Sequence, residues 1–398
     1  MSDQNPKNNG TVTRREVLGA GIAAASFLQL GGLGRAASVL PGTSATGQPA
    51  HPAKDLKTKH LVLVAFAGGV RSRETFGTPA NIPYMRAMAD EGVLFNRTRT
   101  ANLGHFGAAL SVFTGISEAR GIRENARGPD PTLFEYLRKD GGLTESDVWI
   151  STSGGAQQTN YSASSHRDYG QKYGANVLDG DGIFNAEFKD LLAEFGKMRT
   201  VSSSETDALR EMRKVLDAGK GGSDPETAAR IEKYILEELT RGTANINGPA
   251  AGDRKAIRVA RNLITIFKPK VTGIVLQNAD TAHGNFNGYV EVIRQNDAAL
   301  GELWEGVKAD PELRDTTSFI ILPEFGRDRD LNSRRGLDHG DGSDDLRYVT
   351  TTCWGPDFKS GVEYDDEIDT IDVAPTVTSM FGTKAALAKG KRISKMFA

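Results

Sequence analysis

Cysteine is all but missing from this chain. Its 398 residues hold one, Cys353, which excludes an intramolecular disulfide and any thiolate metal cluster. The setting of that residue, Thr350-Thr351-Thr352-Cys353-Trp354, reads as a buried strand, so a structural thiol fits better than a reactive one. Charge of one sign is not in excess either. The balance of 49 basic and 51 acidic residues gives no electrostatic argument for nucleic acid or an anionic membrane. There is no Gly-x-Ser-x-Gly elbow, no phosphate-binding loop and no internal repeat. The glycines around Gly68 are too few and wrongly spaced for a dinucleotide fingerprint. Histidine is also scarce, with six in all, so the places where it does occur carry weight.

The N-terminal 40 or so residues read as separate from the fold. Thr13-Arg14-Arg15-Glu16-Val17-Leu18 precedes a moderately apolar Gly/Ala-rich stretch to Leu33, followed by Gly34-Arg35-Ala36-Ala37. Twin arginines ahead of such a stretch resemble a Tat export signal, here residues 1–37, and the glycines and alanines argue against a basic amphipathic helix. The stretch is short and weak for a permanent span, and no lipobox cysteine follows it. Cleavage near Ala37 and retention as an anchor both stay open. Residues 38–57, rich in Pro, Gly, Ser, Thr and Ala, form the expected flexible linker to a domain over 58–398. Export in a folded state through the Tat translocon, to the periplasm or beyond the cell, is compatible with a metal loaded beforehand.

Within that domain, His60 to Phe66 is a continuous β-prone run, as in a strand buried on both faces of a parallel sheet, and it ends in Ala67-Gly68-Gly69, a turn that lets backbone approach a ligand. Helical spacing over 82–91, 106–113, 133–139, 289–307 and 372–381 alternates with strand-like runs at 93–95, 147–151, 273–276, 318–322 and 349–354. Residues 185–267 read as helix only, an insertion or cap packed on the sheet. The alternation implies an α/β fold with a mostly parallel sheet sandwiched by helices.

Two histidines sit beside acidic residues just past strand ends. Asp280 and His283 follow the run Ile274-Val275-Leu276, and a carboxylate with an imidazole three residues on suits one divalent ion. A helix-capping Asp beside a surface His is the commoner use of such a pair. His339 forms a second Asp-His pair with Asp338, which is either a ligand or the acceptor orienting His339. Glu324 follows Phe319 to Leu322 as a ligand, a general base or a salt-bridge partner of Arg327 or Arg329. His105 opens a small-residue helix whose N-terminus favours anions, or else packs there. His166 reads as a surface residue, and His51 and His60 lie in or beside the linker.

The order of these phrases resembles the alkaline phosphatase and sulfatase superfamily. The resemblance rests on Thr78-Pro79, Ile82-Pro83-Tyr84-Met85 and Ala89 to Phe95 after the first strand. It continues in a helix ending in Thr114-Gly115, then Asp280, His283 and His339 in the order of that superfamily's ligands. An exported branch catalogued only as a domain of unknown function is closer still. Its phrases match Phe66 to Gly69, Glu74-Thr75-Phe76, Gly104-His105-Phe106, Glu324 to Arg327 and Asp338-His339-Gly340, over roughly 59–381.

The resemblance implies an alkaline phosphatase-like fold and a hydrolase of phosphate or sulfate esters using a divalent ion: zinc, calcium or magnesium. It also marks departures. Ala67-Gly68-Gly69 stands where relatives place a metal-binding Asp, His105 where they place the nucleophile, Glu324 in place of an Asp and Phe325 in place of a His. The two-metal site is therefore incomplete. What remains implies one ion on Asp280, His283 and His339, with Glu324, His105 or Glu74 contributing. His105 would be a ligand or the nucleophile, Glu324 a ligand or base, and Arg327 or Arg71 a clamp on a small anionic ester substrate. The alternative is a non-catalytic exported binding protein that keeps the fold.

Overall fold

The central strand divides two cores by simple alternation. In β1 (His60–Phe66), Leu61, Leu63 and Ala65 point to one face while Val62, Val64 and Phe66 point to the other, and all six are buried. Burying each such side chain contributes about 1.5–3 kcal/mol, so a strand apolar on both faces is stable only with layers on both sides. The protein is described by a computed structural model over residues 56–117, 127–153, 161–178 and 246–398. All four segments belong to the same compact unit. The expected export signal, most of the expected linker and the 185–245 part of the region expected to be helix only lie outside the described residues.

Nine strands form one sheet among the described residues. After β1 come β2 (Val93–Arg99), β3 (Val148–Thr152), β4 (Asn176–Leu178), β5 (Val271–Leu276), β6 (Thr317–Pro323), β7 (Tyr348–Trp354), β8 (Val362–Tyr364) and β9 (Ile368–Asp369). Their order is β4-β3-β5-β1-β6-β7-β2-β8, with β9 also on β2. The half from β4 to β6 is wholly parallel, as expected. At β7 the sheet turns antiparallel, to β6 on one side and β2 on the other, so it is mixed though mostly parallel.

Helices cover both faces. One face carries α1 (Pro83–Glu91), α4 (Ala251–Phe267) and α5 (Phe286–Ala309). The other carries α2 (His105–Thr114), α3 (Leu133–Lys139) and α6 (Val373–Met380). The described end of the helix-only region is thus α4, packed on β3 and β5 as part of the sheet's own cover. No helix among the described residues is long and apolar enough to cross a membrane.

Several helix ends are fixed by carboxylates. At α3, Glu135 reaches back to accept from Thr132 N at 2.7 Å, one half of a capping box. At α1, Ile82 has no oxygen to offer, so Asp297 of α5 accepts from Tyr84 N at 3.0 Å and Met85 N at 2.8 Å. Burial pushes the Asp297 carboxyl up to about 6 in spite of those two donors.

The chain's chemistry gathers where β5, β1 and β6 end side by side. In an open parallel sheet the crevice beyond the carboxyl ends of the strands is where ligands meet residues from several loops.

Candidate metal centre

Each imidazole reaches the crevice from a different element. His105 is the first residue of α2, placed by Gly104 in extended conformation. His283 ends the 3-10 turn Asn278–His283 that follows β5, and Asp280 lies one turn earlier. His339 comes from the loop after β6. One ligand nitrogen from each of the three lies within 4.8 Å of the others.

The rings are oriented alike. His105 Nδ1 faces Glu324 Oε1 at 2.5 Å and the Ala67 carbonyl at 3.2 Å. His283 Nδ1 faces Asp338 Oδ1 at 2.6 Å, and His339 Nδ1 faces the Leu103 carbonyl at 3.1 Å. An oxygen that only accepts places a proton on each Nδ1, so a metal would take Nε2, which on His105 and His283 also faces the Asp280 carboxylate. Carboxylate and carbonyl acceptors behind metal-binding imidazoles do this work in metalloproteins generally. Asp338 therefore orients His283, not its sequence neighbour His339.

Asp280 Oδ1 reaches two of the three rings, 2.9 Å from His105 Nε2 and 3.3 Å from His283 Nε2. The contact to His105 is close enough for an ion pair but is not aligned as a hydrogen bond, so His105 Nε2 stays buried without a hydrogen-bond partner. Glu324 Oε2 is in the same position. Burial acts to lower the His105 pKa, but the Glu324 and Asp280 carboxylates outweigh it and hold it up to about 9. Burial pushes the Glu324 carboxyl up, and the His105 imidazolium offsets part of this. Asp280 behaves oppositely: burial would raise it, yet His105 and Arg327 hold it well below the usual carboxylate range. His339 is lowered by burial and by the cationic His105 and Arg327, which favours the neutral ring that a metal needs.

The two arginines and Glu74 are placed differently from expectation. Arg71 binds Glu74 through two bonds of 2.6 and 2.8 Å and spends its remaining amine on the carbonyls of Asp328 and Arg329. Glu74 is thereby paired outside the histidine group, and Arg71 is not free to clamp an anion. Arg327 is fully buried and touches Asp280, His283 and three backbone carbonyls, so all five of its N–H groups are engaged and none is left for a substrate. Phe325 packs against His105 and His339 at ring distances of 4.8 and 5.1 Å, forming an apolar wall.

With this geometry in view, comparison with solved structures decides the fold. The alkaline phosphatase PafA superposes with a TM-score of 0.57 at 10% identity, covering 89% of this chain and 100% of that one. The fold is that of the alkaline phosphatases and sulfatases. A putative sulfatase from Bacteroides thetaiotaomicron has a TM-score of 0.52 at 12% identity over 85% of this chain and 74% of its own. A 2-O GAG sulfatase gives 0.51 at 11% identity over 85% and 73%. No protein-family profile and no curated protein matches the sequence.

The site also depends on residues with no sequence signal. Fully buried Asp253 of α4 accepts from Gln277 N at 2.8 Å and Asn278 N at 3.1 Å, and from Asn296 Nδ2 at 2.7 Å. It pins the segment that leads to Asp280 and His283. Tyr161, also fully buried, hydrogen-bonds Gln277 near Glu324, and burial followed by the Glu324 charge keeps its phenol protonated. Both are read only from tertiary structure, because nothing adjacent to them in sequence marks a site.

Proposed function

We propose that this chain is a Tat-exported hydrolase of phosphate or sulfate esters, acting in the periplasm or outside the cell, with one divalent ion on His105, His283 and His339. The observation that carries the proposal is the convergence of three imidazoles, each with Nδ1 beside an oxygen acceptor and each with one ring nitrogen within 4.8 Å of the others. The buried Glu324 Oε2, without a hydrogen-bond partner, and the buried His105 Nε2, with only the unaligned Asp280 carboxylate beside it, fit a bound cation better than they fit a closed protein core. An all-imidazole set suits zinc better than calcium or magnesium, which take oxygen ligands. Bound there, the ion would supply Lewis-acid chemistry, polarising the ester and making water acidic near neutral pH.

The chain's own residues supply the rest. Glu324 Oε1, Asp338 Oδ1 and the Leu103 carbonyl hold the three Nδ1 protons and keep the rings aimed. Glu324 Oε2 is an accepting oxygen within the buried part of the site. The N-terminus of α2 favours a small anionic ester beside His105, and Phe325 excludes water on one side. His105, tied at Nδ1 and turned inward at Nε2, acts as a ligand in this reading and not as a nucleophile.

The raised pKa of His105 sets a pH dependence. Below about 9 the free ring carries a second proton, which zinc must displace from Nε2. Apparent zinc affinity should therefore climb about tenfold per pH unit from pH 7 towards 9 and flatten above it. Metal analysis of the purified protein, zinc titration across that range and hydrolysis of aryl phosphate and aryl sulfate esters test the proposal together. No bound metal at pH 8, with any turnover unchanged in His283→Ala, would remove it.

A further inference from the structure

The guanidinium of Arg327 lies where a cation would be expected, and the surrounding backbone is shaped to receive it. Arginine has five N–H donors, and here each has one acceptor. Nε donates to the Gly69 carbonyl at 3.2 Å. Nη1 donates to the Leu337 carbonyl at 3.3 Å and faces His283 Nε2, also at 3.3 Å. Nη2 donates to the Gly68 carbonyl and, at 2.7 Å, to Asp280 Oδ1. Three carbonyl oxygens, a carboxylate and an imidazole nitrogen form a coordination sphere for a positive charge, and its occupant is a side chain.

The cradle accepts nothing bulkier at its base. A Cβ on Gly69 would come within 2.8 Å of Arg327 Nε and 2.7 Å of the Phe325 ring, and Gly69 has φ of +64° besides. Burying an unpaired charge costs several kcal/mol, so a fully buried guanidinium is stable only because Asp280 and the carbonyls meet every donor. The same bonds engage Asp280 and cover the His283 lone pair, two of the groups that a divalent ion would use.

We propose that Arg327 is a resident cation of the centre, which holds Asp280 for itself and opposes the loading of a divalent ion onto His283. This rests on the reading of the three histidines as a metal site. A loaded ion is then bound by imidazoles, while Asp280 stays with the guanidinium. Removing the positive charge frees both Asp280 and His283 Nε2 for the ion.

Zinc titration of the full chain by calorimetry, with wild type, Arg327→Gln and Asp280→Asn side by side, tests this. Arg327→Gln keeps an amide donor for the carbonyls and should bind zinc at least tenfold more tightly, about 1.4 kcal/mol. Asp280→Asn should weaken wild-type binding by less than tenfold, since Asp280 serves Arg327. A folded Arg327→Gln protein that binds zinc no more tightly than wild type overturns the inference but leaves the metal site standing. Zinc binding by Arg327→Gln alone upholds the inference and removes the hydrolase reading of the wild-type centre. Binding by neither removes both. Should circular dichroism show Arg327→Gln unfolded, Asp280→Asn decides: a loss beyond tenfold makes Asp280 an ion ligand and overturns the inference, and a smaller loss upholds it.

Discussion

Replacing His339 by alanine should lower zinc affinity at least 100-fold while leaving the metal-free fold intact. Of the three imidazoles it is the cleanest to remove. His105 is bonded to buried Glu324 and close to Asp280, and His283 touches Asp338, Asp280 and Arg327, so losing either leaves charged partners unmatched. His339 is half-buried, its pKa is lowered, and its one anchor is the Leu103 carbonyl. Losing a group that merely orients a ligand reduces metal affinity by roughly 10–100-fold, so losing a ligand should exceed that range. The effect is readable without turnover. Zinc at 1,000 times its Kd adds about 4.1 kcal/mol to stability, and a 100-fold weaker site at the same zinc concentration adds only about 1.4. Thermal melts with zinc and with chelator would show that difference. Equal stabilisation of wild type and variant by zinc would mean that the three imidazoles are not the centre.

How far the sequence foretold this site depends on how local each signal is. His105, Asp280, His283 and Glu324 fall at a helix start or just past a strand end, and period and polarity show such places in a single sequence. The structure brings all four, with His339, into one crevice. Asp338 shows the limit. Its sequence neighbour is His339, but its carboxylate reaches His283, 55 positions away. Strand β2 shows another. The run Val93 to Phe95 is legible, but the strand continues through Asn96, Arg97 and Thr98, whose polarity hides the ladder to β7 and β9. Arg327 was legible as a charge near a strand end. That its partners would be the carbonyls of Gly68, Gly69 and Leu337 was not, because every residue has a carbonyl and sequence does not say which ones converge.

Gly68→Ala should destabilise the protein by about 3 kcal/mol and weaken zinc binding with it. Sequence suggests that glycine at the end of β1 lets backbone approach a ligand; the structure shows that what approaches is the protein's own backbone. A Cβ at 68 would stand 2.6 Å from both Asp280 N and Gln277 O. Neither atom belongs to a flexible side chain, and the segment has little room to retreat. Asp253 holds Gln277 and Asn278 from the side of α4, and Arg327 holds Asp280 from the side of β6. Overpacking a tight site typically costs about 1–3 kcal/mol, and a contact between two pinned backbones belongs at the upper end. What movement does occur is transmitted to Asp280 and His283, which ride on the displaced turn. Gly284→Ala is the matched control, one residue beyond His283, where an added Cβ meets nothing within 4 Å and no positive φ intervenes. It should change stability by less than about 0.5 kcal/mol. Urea unfolding of the two variants, each followed by a zinc titration, separates a steric effect at Gly68 from a general intolerance of alanine near the site. If the two behave alike, the close packing of the β1 end against the Asp280 turn does not govern the centre.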